Sequence, residues 1–131
     1  AAAETAKREA ESAALVQKRR DQALLQTYAS EKDIESVRLR ALADNQKAQQ
    51  DVERRIAGLR KRQDEFAKQA AAVKAGKAPS DTFEQDVKAV AYDLQLQERL
   101  LESRKKEAET INAKYAEEKR KYLELTRGPA K

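Results

Sequence analysis

Paired carboxylates are the residues here that come nearest to a reaction. Glu117-Glu118 and Asp64-Glu65 could in principle divide acid and base roles. On a helix, adjacent side chains point about 100° apart, so neither pair converges on one substrate. Nothing around them encloses a site that would pull two carboxyl pKa values apart. The sequence contains no histidine and no cysteine, which removes the commonest general base, the thiol nucleophile and the usual soft metal ligands. No phosphate-cradling glycine loop, nucleophile elbow or metal-ligand spacing is present. No catalytic residue, no cofactor-binding residue and no metal ligand is assigned, and the chain is not expected to be an enzyme.

Four basic triplets could instead bind phosphates through counterion release. They are Lys18-Arg19-Arg20, Arg60-Lys61-Arg62, Arg104-Lys105-Lys106 and Lys119-Arg120-Lys121. Acidic residues lie close by: Asp64 and Glu65 follow the second, Glu102 and Glu107 flank the third, and Glu117 and Glu118 precede the fourth. The formal charge of +5 comes from 28 basic and 23 acidic residues with the signs interspersed. That pattern describes solvated helix faces, whereas a nucleic-acid face segregates its bases on one side. Nucleic acid is therefore not an expected partner. A third candidate is apolar. Tyr92, Leu96 and Leu100 recur at i, i+4 and i+8, a stripe suited to docking a helix or a second subunit. It is expected to be covered, by the first helix or by another copy. A protein partner or self-association is the expectation.

Helices must carry these residues. Ala, Glu, Lys, Leu and Arg supply more than half of the sequence, the composition of long helices and coiled coils. Only three glycines and two prolines occur, and Gly76, Pro79, Gly128 and Pro129 confine the breaks to two places. From Phe83 the seam runs Val87, Val90, Leu94, Gln97, Leu101, Arg104, Ala108, Ile111, Tyr115, Glu118, Tyr122 and Leu125, alternating four and three. Such spacing keeps one stripe turned toward a partner helix. Asp81 with Glu84 is a candidate capping box at its start, and Gly128-Pro129 closes its end. In the middle segment Val52, Ile56, Leu59, Gln63, Phe66, Ala70 and Val73 form a second seam, with Gly76 as its C-cap. Upstream of it Ile34, Val37, Ala41 and Ala48 are apolar, and the eleven residues from Val37 to Ala48 read as a stutter.

The expected fold is all-α: a long antiparallel coiled-coil hairpin with an additional N-terminal helix. It is read as one elongated domain over 1–131, with helices at about 4–28, 31–75 and 81–126 and a turn at 76–80. Ser30-Glu31-Lys32-Asp33 resembles an N-cap, so the chain either breaks near Thr27–Ser30 or continues as one helix. Pairing Phe66 with Leu94 and Leu59 with Leu101 would set Gln63 opposite Gln97, with a register one heptad away left open. No apolar run approaches the roughly 18–20 residues of a membrane span. With no methionine, the sequence is expected to be a processed product or an excised fragment.

Two stretches carry a resemblance. One runs from Arg19-Arg20-Asp21-Gln22-Ala23-Leu24-Leu25 through Tyr28-Ala29-Ser30 to Asp33-Ile34 and Val37-Arg38-Leu39-Arg40-Ala41-Leu42. The other is Ile111-Asn112-Ala113-Lys114-Tyr115-Ala116-Glu117-Glu118-Lys119-Arg120-Lys121-Tyr122-Leu123-Glu124-Leu125-Thr126. Both resemble helical segments of uncharacterised betaproteobacterial envelope proteins of the domain-of-unknown-function 4124 type. The resemblance implies an exported, periplasmic protein and supplies no activity. A second similarity, at Val73-Lys74-Ala75-Gly76 and Phe83-Glu84-Gln85-Asp86-Val87, is to the tips of the Skp/OmpH periplasmic chaperones. The expected function is thus a non-catalytic coiled-coil structural or interaction protein of the bacterial cell envelope. The alternative is a holdase-like periplasmic chaperone or a polyanion-binding helical hairpin.

Overall fold

A computed structural model describes residues 1–128 as three helices: α1 Ala2–Thr27, α2 Glu31–Lys74 and α3 Phe83–Arg127. The fold is all-α, and α2 and α3 pack on each other as a hairpin. The chain divides into two compact units. One holds Ala1–Ala41 with the chain from Thr110 onward; the other is Leu42–Glu109.

Local chemistry accounts for the ends of the helices. The chain breaks after α1, where Tyr28 is extended at φ −117° and ψ 130°. Ser30 then starts α2: its Oγ accepts from the Asp33 amide at 3.2 Å, and Asp33 Oδ2 accepts from the Ala29 amide at 2.9 Å. These bonds tie Ala29 and Ser30 to Asp33 in the first turn of α2, which favours the break over a continuous helix. At the other end of α2, Gly76 has a φ of 101°. Its amide donates to the Val73 carbonyl at 3.0 Å and that of Lys77 to Ala72 at 3.1 Å, the paired bonds of a left-handed glycine cap. α3 starts two residues beyond the expected position, and among the described residues no side-chain cap from Asp81 accompanies it. Thr82 Oγ1 donates to Asp86 Oδ2 at 3.0 Å, and Phe83 rather than Asp81 opens the helix. Arg127 is the last helical residue, and Gly128 follows at a φ of 82°. Pro129 lies outside the described residues.

In the two-helix unit the core is thin: Val52, Ile56 and Val90 are buried, together with one polar residue, Asn45. Two contacts set the register there. Asn45 Nδ2 donates to the Arg104 carbonyl at 2.8 Å, and the Phe66 and Phe83 rings meet edge to face with centroids 5.9 Å apart. From Asn45 to Phe66, and from Phe83 to Arg104, each helix advances three heptads, so one register holds between them. Phe66 therefore meets Phe83, not Leu94, and Gln97 accepts from Arg55 at 3.4 Å rather than facing Gln63. The expected pairing is wrong by more than one heptad. The polar layer exists, but Asn45 makes it, with Gln49 Nε2 donating to its Oδ1 at 2.7 Å. The expected eleven-residue stutter is present but displaced, from Val37–Ala48 to Asn45–Ile56. Val37 is exposed, while Arg38, Ala41, Asn45 and Ala48 are covered in unbroken alternation of three and four. The only two consecutive steps of four then come at Ala48, Val52 and Ile56.

This register is expected to show in crosslinking. Phe66→Cys with Phe83→Cys should form a disulfide on oxidation, and Gln63→Cys with Gln97→Cys should not, since bridged Cα atoms must approach within about 7 Å. The reverse pattern would refute the pairing.

Candidate interaction surfaces

Positions four apart on α3 define the apolar stripe. Its inner neighbours Val90, Leu94 and Leu101 face α2 and are buried or half-buried. The stripe is displaced around the helix from that seam, and its members differ: Tyr92 is 62% and Leu96 41% exposed, whereas Leu100 is half-buried. Within the Leu42–Glu109 unit, Tyr92 and Leu96 are open to solvent.

α1 packs elsewhere, in the unit it shares with the start of α2 and the end of α3. There Tyr28, Ile34 and Tyr122 form a buried cluster, with Leu24 and Tyr115 against it. Residues 1–20 are exposed, so α1 is held through its last turns alone. A cleft of about 540 Å³ lies beside Leu24, Tyr28, Asp21, Glu118 and Lys121. Tyr28 is the part of this arrangement that the sequence reading missed. Its hydroxyl donates to Glu118 Oε2 at 2.7 Å, and burial, followed by this bond, pushes the phenol pKa well above its ordinary value. A part-buried carboxylate contact of this kind holds the phenol as a donor. Glu118 stands on the α3 seam and Tyr28 just outside α1, but no spacing rule linked residues so far apart in sequence.

The titratable pairs resolve into structural contacts. Glu117 is bound by the Arg120 guanidinium, whose hydrogen bonds hold the Glu117 carboxyl below the ordinary range. Glu117 and Glu118 thus serve different partners. Glu35 is lowered in the same way by Arg38, which also donates to Asn112 Oδ1 at 2.8 Å. In the fourth basic triplet, Lys119 reaches Glu31 at 3.2 Å, Arg120 reaches Glu124 at 3.0 Å, and Lys121 lies 3.9 Å from Asp21. Arg104 of the third pairs with Glu107 at 2.9 Å. The second differs: Arg60 meets Glu98 only at 3.4 Å, and Arg62 lies 5.5 Å from the Phe66 ring centre. Among the described residues, no helix is long and apolar enough to cross a membrane.

Compared with family models, curated proteins and solved structures, the chain matches none.

Proposed function

We propose that this is a non-catalytic coiled-coil structural or interaction protein of the bacterial cell envelope, in which the α2–α3 hairpin presents a surface to a protein partner or to a second copy. The supporting observation is the exposure of Tyr92 and Leu96 beside a core as thin as that of the Leu42–Glu109 unit. Burying a leucine side chain is worth about 1.5–3 kcal/mol, so association through the stripe would recover stabilisation that the isolated hairpin leaves in water. The stripe's repeat of four residues per step suits a packed helix. The periplasmic placement rests on the resemblance of the Arg19–Leu42 and Ile111–Thr126 stretches.

Leu96→Gln with Leu100→Gln tests this reading. If the partner is a second copy, sedimentation should show the wild-type mass above that of one chain and the double variant at one chain. If it is another protein, envelope components retained by the wild type should be released by the variant. An unchanged mass together with unchanged retention would reject the surface. A chaperone or polyanion binder working through charge would behave differently, releasing its ligand steeply as salt rises to about 0.15 M.

A further inference from the structure

The stretch from Arg54 to Arg62 stands apart from the charge pattern around it. It holds Arg54, Arg55, Arg60, Lys61 and Arg62 with no acidic residue among them. Ile56 is buried and Leu59 half-buried in the hairpin seam, and the other seven residues are exposed. The intramolecular contacts of these cations are long. Arg54 reaches Asp51 at 3.5 Å with 73% of its side chain in solvent, and Arg60 reaches Glu98 at 3.4 Å with 64% in solvent. Exposed pairs of this kind are worth at most about 1 kcal/mol and are easily exchanged.

Ala57 and Gly58 lie at the centre of this patch, and Gly58 has no intramolecular explanation. Its φ is not positive, unlike those of Gly76 and Gly128. A Cβ added there would meet nothing within 4 Å. Glycine inside a helix costs about 1 kcal/mol relative to alanine, so the turn, the helix and the hairpin seam would all tolerate or prefer another residue. Without a side chain, Gly58 leaves the α2 backbone bare on its exposed side, as a notch. Around it the cations fall in two pairs one heptad apart, Arg54 with Lys61 and Arg55 with Arg62, each about 10.5 Å along the axis.

We infer that this face of α2 docks an acidic helix of a partner protein, with the partner backbone crossing at Ala57–Gly58 and its carboxylates reaching the two heptad-spaced cation pairs. Small residues let helices approach to about 8 Å, and guanidinium groups engage carboxylates in two-pronged fashion. A nucleic-acid strand fits less well. The nearest ring, Phe66, already lies against Phe83 and Arg62, so the face offers no free platform for base stacking. The inference rests on the reading of the protein as an interaction module, but uses a surface separate from Tyr92 and Leu96.

The test uses the whole chain and a labelled alanine-rich helical peptide with glutamates at i, i+1, i+7 and i+8. A peptide of the same composition in scrambled order and a short DNA duplex serve as comparisons. At about 50 mM salt, where surface charge is weakly screened, the ordered peptide should bind better than either. Lys61→Ala with Arg62→Ala should weaken it about three- to tenfold. Gly58→Leu should weaken it about tenfold or more by filling the notch. Because leucine is the better helix former, circular dichroism should show that variant at least as stable as the wild type, so lost binding would not mean lost fold. Equal affinity for the scrambled peptide or the duplex, no binding at all, or a Gly58→Leu variant that binds like the wild type would each overturn the inference. Association through Leu96, read separately by mass and retention, could survive any of these results.

Discussion

Ile34→Ala is expected to lower the unfolding free energy by about 2–5 kcal/mol, the range for truncating a buried aliphatic side chain to alanine. Ile34 is 1% exposed and lies in the cluster of Tyr28 and Tyr122, where the ends of α1 and α3 meet the start of α2. A cavity there removes contacts from three helices together. Urea unfolding followed by the tyrosine near-ultraviolet signal suits this unit, because Tyr28, Tyr115 and Tyr122 all belong to it. Val37→Ala on the same helix should shift stability by less than about 0.5 kcal/mol, since Val37 is exposed. Equal losses from the two substitutions would mean that the cluster is not the core of this unit.

Tyr28→Phe should cost about 1–3 kcal/mol at neutral pH, because the Glu118 carboxylate would lose its donor in a partly buried position. The pH dependence follows from the raised phenol pKa, whose main cause is burial and whose second is the bond to Glu118. A raised folded-state value means that the folded protein holds the proton more tightly than the unfolded chain. That contribution is fully present below the unfolded value of about 10 and is lost as pH climbs toward the higher folded value. The wild type should therefore lose stability above pH about 10 more steeply than Tyr28→Phe, so that the two curves converge there. Curves that stay parallel through this range would show that the Tyr28 hydroxyl does not stabilise the fold.

Both effects depend on contacts between residues far apart in the chain, and these divide what was legible in sequence from what was not. The helices were legible because their signals are local: glycine at the left-handed Gly76, the Ser30–Asp33 exchange at the head of α2, the three-four alternation from Phe83 onward. Even there, Ser30 offered a break without requiring one, and α3 opens at Phe83 rather than at the Asp81 candidate. The stripe of Tyr92, Leu96 and Leu100 could be placed on one face of α3 by counting, but counting could not show that Leu100 is sheltered and Tyr92 is not.

Helix periodicity and the Gly76–Pro79 break determined that this protein is all-α, that α2 folds back on α3, and which side of each helix carries most of the apolar seam. The tertiary structure alone decided the register and the seat of α1. An apolar seam repeats every seven residues, so sliding one helix by a heptad presents a similar stripe, and local pattern holds little preference between the alternatives. Two specific meetings broke that near-degeneracy: the Asn45 amide at the Arg104 carbonyl and the Phe66 ring at Phe83. Arg38 and Asn45 fall outside the apolar pattern, yet a polar side chain can occupy a seam position once a partner satisfies it. Tyr28 shows the same principle for α1, whose last turns are seated by the Tyr28–Ile34–Tyr122 cluster and by a phenol bonded to a glutamate ninety residues away.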